Sequence, residues 1–527
     1  MAESMPATDG LGLAELKSLL VQAYEKLAQR DAEIAALREE VARLKGLKGR
    51  PQVKPSGMEQ STQRRAKRGR KCGRRGPKRS KVTIDETKVV KAENIEAGAR
   101  FKGYEDFIVQ NIIVQPWTVL YRRERWQLPS GDTVVAPLPS GTIGHFGAEL
   151  KRFVIAQYVQ GQVTVPRLVS LLNDIGIVIS KRQVMRLLID GQDDFLAEAR
   201  DVLRTGLASA AWITVDDTGA RHKAQNGFCT HIGNDQFASF TTTTSKSRLN
   251  FFEVLLAGDM THLINDAAIA YMREHNLSGI VINKLAAHNQ KSFADSDAWM
   301  AHLQKLGITE LEVTPDPVRV STEGALWGSI AAQGLLDGTV IVSDGAGQFD
   351  VADHALCWIH AERLVHKLDA FTDERRQAKE GIRSRIWALY ADLKTYRTKP
   401  TAKRKAELTK RFDEIFSTRT CYATLDKLLG RLKAQKSELL MVLERPDIPL
   451  HTNGSENDIR SQVTKRKISG GTRSDVGRDC RDAFLGLMKT CAKQGIRFWQ
   501  YLGARLAVPG ADDVPPLPSL VGQPTPP

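Results

Sequence analysis

The chain has 527 residues, 42% of them hydrophobic, and a formal net charge of +15. That length supports a large core shared among roughly two to four domains. No run of about 18 consecutive apolar residues occurs, and the polar start Met1–Gly10 lacks a signal-peptide stretch, so a cytoplasmic protein with no membrane partner is expected. The six cysteines (Cys72, Cys229, Cys357, Cys421, Cys480 and Cys491) form no CxxC pair. They read as reduced thiols, without a disulfide framework, and no zinc is expected.

Residues 13–44 carry a heptad pattern. Leu13, Leu20, Leu27, Ile34 and Val41 occupy a positions; Leu16, Ala23, Leu37 and Leu44 occupy d positions, interrupted by Arg30. The pairs Lys26–Asp31, Glu33–Arg38 and Glu40–Lys45 join opposite charges in a parallel dimer, so 11–47 is expected to be a dimerising coiled coil. The plainer alternative is an amphipathic helix packed on its own body. A basic linker follows at 48–82. Between Arg64 and Lys81 stand eleven Lys or Arg and no acid, which accounts for most of the net charge. The linker lacks the apolar residues for a core and reads as a disordered, polyanion-binding arm, with a solvated linker as the alternative. Its candidate DNA contacts are Arg64, Arg65, Lys67, Arg68, Arg70, Lys71, Arg74, Arg75, Lys78 and Arg79.

Strand-like runs at Phe107–Val114 and Thr118–Trp126, with a turn at Pro129–Asp132, suggest a small β-rich module over 83–138. The region 139–205 turns helical. Within it, Val165–Leu188 reads as two helices about a turn at Gly176. Leu168, Leu171, Leu172 and Ile175 are expected to be buried on the first, and Val184, Leu187 and Leu188 on the second, which Ser180 caps. The spacing fits a helix-turn-helix, with Lys181, Arg182 and Arg186 on the reading helix, or equally a plain αα-hairpin.

A β-rich block follows: Ala211–Val215, Phe228–Ile232, Phe237–Thr244 and, after a long mixed segment (255–335) with no assigned role, Thr339–Val342. Two of these strands run into aspartates, in ITVDD (Asp216, Asp217) and VIVSDG (Asp344). An acid there is costly unless paired, capped or metal-bound, although a turn-forming aspartate is the common alternative. Residues 372–447 read as a helical block. In HTNGSENDIR, Glu456 falls in the first turn of a helix that Asn453 or Ser455 can cap, with Arg460 on the same face. Two strand acids and a helix acid form a set able to hold two Mg²⁺ or Mn²⁺ ions, which favour oxygen ligands. Lys465, Arg466, Lys467 and Arg473 follow as candidate phosphate contacts. The proline-rich tail, 506–527, is expected to be disordered.

The pieces VDDTGAR (215–221), VIVSDGAGQF (340–349), CWIHAERLVHKL (357–368), NGSENDIR (453–460) and TCAKQGIRFWQYL (490–502) together resemble bacterial DDE transposases of the IS-sixty-six insertion-sequence family. The resemblance covers most of the chain. It implies a multidomain α+β/α/β protein with a ribonuclease H-like catalytic core: first part 206–371, helical insertion 372–447, and glutamate helix with C-terminal helix in 448–505. It implies catalytic and metal-binding roles for Asp216, Asp344 and Glu456, with Asp217, His360 and Arg363 as neighbours. The implied partners are double-stranded DNA (element ends and target), a second copy of the chain and accessory proteins of the element. The family's cysteine module after the basic linker has no counterpart in 83–135, which then reads as a metal-free remnant. A structure-selective nuclease of the same fold and a non-catalytic DNA-binding regulator stay open as alternatives.

Overall fold

The computed structural model describes residue 30 and residues 84–93, 98–138 and 144–522. The coiled coil expected at 13–44, Arg30 apart, and the basic stretch 64–81 lie outside them. The chain divides into two compact units, 1–114 and 115–527. In the first, the described residues 84–93 and 98–114 are exposed and form neither helix nor strand. The expected strand Phe107–Val114 is therefore absent: among the described residues, none pairs with it in a ladder. Of Thr118–Trp126, only the end enters a ladder, in a hairpin of β1 (Arg125–Gln127) and β2 (Thr133–Val135) around the expected Pro129–Asp132 turn.

The second unit continues with four helices: α1 (Ala148–Val159), α2 (Val165–Asp174), α3 (Lys181–Ile189) and α4 (Asp193–Ser209). Gly176, at a φ of +91°, makes the turn between α2 and α3. Ser180 and Gln183 form a reciprocal capping box that starts α3. Leu168, Leu172, Val184, Leu187 and Leu188 are buried; Leu171 instead faces solvent, 40% exposed, because the buried stripe of α2 is narrower than its leucines suggest.

A five-stranded mixed sheet forms the centre. Its strands are β3 (Trp212–His222), β4 (Gln225–Gly233), β5 (Ala238–Thr243), β8 (Val340–Ser343) and β9 (Asp353–Leu356), in the order β5-β4-β3-β8-β9. The first three form an antiparallel meander, and β8 and β9 run parallel to β3. All four residues of β8 are buried, as a strand covered on both faces requires. Ile213, Val215, Ile232 and Ile341 pack against the N-terminal helices. From the opposite side of β8, Val340 and Val342 join the core of the helical insertion.

Between β5 and β8, the unassigned segment folds into α5 (Arg248–Leu255) and a small subdomain with its own core around Met272, Trp299 and Ile308. It contains β6 (His262–Leu263), α6 (Asp266–Glu274), α7 (Gly279–Ala287), β7 (Ser292–Phe293), α8 (Ser296–Lys305) and α9 (Pro317–Ala332). Asn265, Asp295 and Asp316 cap α6, α8 and α9 with their side chains. After β9 come α10 (Trp358–His366) and the insertion helices α11 (Asp373–Tyr396), α12 (Ala402–Phe416), α13 (Ala423–Ala434) and α14 (Lys436–Leu439).

The chain then returns to the sheet as α15 (Asn453–Ser469), α16 (Asp475–Lys493) and α17 (Phe498–Arg505). The tail is ordered at least to 522, against expectation. Its helix α18 (Leu517–Val521) buries Leu517 and Val521, the Leu517 amide donates to Glu198, and Arg505 donates to the Val514 carbonyl. Three apolar side chains among the prolines suffice to dock it.

Candidate active site

Asp216 lies in the middle of β3, not at its end: the strand runs on to His222 because β4 pairs with it to the hairpin turn. Side chains alternate along a strand, so Thr214 shares a face with Asp216, and His231, directly opposite on β4, shares it too. Both touch α15. Ser455 Oγ lies 2.6 Å from Thr214 Oγ1, and Asp458 Oδ2 lies 3.4 Å from His231 Nε2. Asp216 is thus on the face of the sheet that the glutamate helix covers.

Asp217 points to the other face. Thr230 donates to it at 2.6 Å and Gln348 at 2.8 Å. Burial raises its pKa, and these hydrogen bonds oppose the rise. The Asp216 carboxyl accepts the Asp217 amide at 2.8 Å. Its pKa is pushed up to about 6, by burial first and by the neighbouring charge of Asp344 second. Asp344 follows the adjacent parallel strand β8 and accepts the Ala346 amide at 3.0 Å.

Glu456, in the first turn of α15, faces α10. Its Oε1 is 3.5 Å from Arg363 Nη2 and 3.7 Å from His360 Nε2. Arg460, on the same face, donates to Asn457 rather than to Glu456. Neither Asn453 nor Ser455 caps the helix; both lie inside it, and the flanking residue is Thr452. His360 also interacts electrostatically with Asp216 and Asp344. Its pKa is raised, chiefly by the Cys357 thiol one helical turn away. Burial disfavours the Cys357 thiolate, but the His360 ring and backbone and Thr452 outweigh burial and lower its pKa.

Among the described residues, the group of three potential metal ligands within 4.8 Å of one another is Asp350, His354 and Glu438. Asp216, Asp344 and Glu456 do not converge that tightly. A part-buried aspartate pushed toward protonation, beside the like charge of Asp344, is nevertheless a setting that a divalent cation relieves.

Sequence reasoning overlooked the anchor of α15. Asp458 is buried and lies 3.0 Å from Lys493, 3.4 Å from Lys489 and 3.4 Å from His231. Burial opposes its charge, but His231 and Lys493 outweigh that and hold its pKa far below the usual carboxylate range. Its place in NGSENDIR, one turn from Ser455, was the available signal.

Several expected phosphate contacts lie at the surface: Lys181, Arg182, Arg460, Lys467 and Arg473 are exposed. Arg466 donates to the Gly219 carbonyl. Lys465 is buried over the Tyr158 ring, donates to that residue's carbonyl, and has its pKa lowered to about 7 by burial. It packs inside the protein and is not a phosphate contact.

Residues 325–479, which contain Asp344, α10, the insertion and Glu456, match the model of the family described as Transposase IS66 family. The chain belongs to the IS66 transposase family. It is also similar to a protein described as "Uncharacterized protein y4jO" from Sinorhizobium fredii (strain NBRC 101917 / NGR234), with 50% identity over 320 residues, 61% of this chain and 99% of that protein. The family's function is transposition, and its partner is DNA. Among the described residues, no helix of this transposase is long and apolar enough to cross a membrane.

Proposed function

We propose that this transposase cleaves and joins DNA with Asp216, Asp344 and Glu456 as its catalytic acids, on a ribonuclease H-like core. The strand order β5-β4-β3-β8-β9, with only β4 antiparallel to the rest, supports that fold. The observation that carries the reading is the lock of α15 onto the Asp216 face through Ser455–Thr214 and Asp458–His231, beside the neighbouring strand that delivers Asp344.

The three acids fit a pair of Mg²⁺ or Mn²⁺ ions, which would supply charge neutralisation at the attacked phosphate. Arg363 and His360 orient the Glu456 carboxylate, and the Asp217 amide fixes one oxygen of Asp216. In the first step, water attacks a phosphodiester at the element end. The new P–O bond forms as the bond to the 3′ oxygen breaks, leaving a free 3′-OH. In the second, that hydroxyl attacks a target phosphodiester and displaces another 3′ oxygen. The open groove of about 680 Å³ lined by Arg460, Thr464, Lys489, Arg497 and Trp499 begins one helical turn beyond Glu456. Cations interleaved with an aromatic ring suit a DNA strand. The heptad pattern of residues 13–44 supports the pairing of two copies, so that both element ends are held.

The test is metal-dependent nicking and strand transfer on element-end DNA. Asp216→Asn, Asp344→Asn and Glu456→Gln are each expected to lower both reactions at least 1000-fold while end binding stays within a few-fold. Wild-type cleavage by any one of them overturns its assignment. Nicking without joining of pre-cut ends marks a nuclease instead.

A further inference from the structure

We propose that Asp350, His354 and Glu438 form a second cation site, separate from the three acids above, for a divalent first-row transition metal ion. One ligand atom from each lies within 4.8 Å of the others. His354 Nδ1 stands 3.2 Å from Glu438 Oε1 and 4.0 Å from Asp350 Oδ1. Ligands about 2.1 Å from a tetrahedral ion lie about 3.4 Å from each other, so these separations suit an ion between them.

The support behind the histidine is independent of the two acids. His354 Nε2 lies 2.8 Å from Ser343 Oγ, and both residues are buried. Nδ1 is therefore the ring nitrogen turned toward the carboxylates. An ion at Nδ1 requires the proton on Nε2, where the Ser343 oxygen can receive it. Metal-ligating histidines are commonly held this way through the second nitrogen. One imidazole with two carboxylates suits zinc or manganese better than magnesium or calcium. Asp350 is exposed, which opens the site to solvent.

The ligands come from two parts of the molecule. Asp350 belongs to the β8–β9 connection and His354 to β9, whereas Glu438 belongs to α14 of the insertion. Beside the site, Trp358 Nε1 donates to the Leu439 carbonyl at 2.8 Å, so the insertion is already held there to α10, the helix that follows β9. An ion would fasten that junction, and its supporting serine immediately precedes Asp344.

The test uses the full chain carrying Asp216→Asn, Asp344→Asn and Glu456→Gln together, stripped with a chelator and titrated calorimetrically with Zn²⁺ and with Mn²⁺. One equivalent of at least one of these ions is expected to bind and to raise the melting temperature. Adding Asp350→Asn or Glu438→Gln is expected to weaken binding at least tenfold and remove the shift. Asp350 is exposed, so its variant tests the site without disturbing the core. No stoichiometric binding in the folded parent overturns the proposal, leaving a proton as the occupant. Unchanged affinity in both added variants also overturns it. The parent lacks the three acids, so this result is read independently of strand cleavage.

Discussion

Asp216 carries the site's largest electrostatic tension. Its pKa of about 6 exceeds that of a free aspartate, so between roughly pH 4 and 6 the folded chain binds a proton that the unfolded chain has lost. Stability of the metal-free protein is therefore expected to fall as pH rises through that window. Asp482, also pushed up to about 6 by burial, contributes in the same direction. The comparison of wild type with Asp216→Asn isolates the first: the variant should lose less stability between pH 4 and 6 in thermal melts without divalent ions. An equal loss in both proteins contradicts the burial and Asp344 repulsion assigned to Asp216. Ions must displace that proton, so metal-dependent cleavage is expected to decline below about pH 6.

The glutamate helix is placed by its buried stripe, not by a cap. Ser455, Asp458, Ile459 and Gln462 face the sheet, and Glu456 stands at the stripe's edge, where α10 meets it. Asp458→Ala removes the carboxylate facing His231, Lys489 and Lys493. Breaking such a buried pair costs about 3 kcal/mol, so a matching loss in urea unfolding is expected, together with reduced cleavage. A change below about 0.5 kcal/mol would remove the anchoring role. In the small subdomain, Gly328 of α9 passes so close to β6 that an added Cβ meets the Leu263 carbonyl at 2.3 Å. Gly328→Ala is expected to destabilise by about 1–3 kcal/mol through overpacking, measured the same way.

The net charge of the whole chain is concentrated in one segment, 64–81, which argues for phosphate neutralisation by an arm rather than by the body. Deleting 64–81 is expected to weaken DNA binding across sequences and to flatten the slope of log affinity against log salt. With eleven cations the change is at most about 10 units. An unchanged slope in a binding titration from low to high salt refutes the arm.

Local signals were legible wherever they are carried by a few consecutive residues. The N-cap at Ser180, the turn at Gly176, the apolar β8 running into Asp344 and the helix around Glu456 all follow from nearest-neighbour chemistry. Relations across the sheet were not legible. β9 is four residues long and offers no periodicity. The extent of β3 beyond Asp216 depends on β4 as its partner, and the ordered tail depends on a groove beside α4. Phe107–Val114 has the residues of a strand, but a strand exists only where another edge takes up its backbone groups. The sequence by itself determined the family and the concentration of positive charge in 64–81, and it named the three acids proposed as catalytic, because motif and charge are properties of residue order. Only the tertiary structure decided which face Asp216 presents, that Glu456 pairs with Arg363 and His360, and that Lys465 is buried, because each depends on elements far apart in the chain packing together.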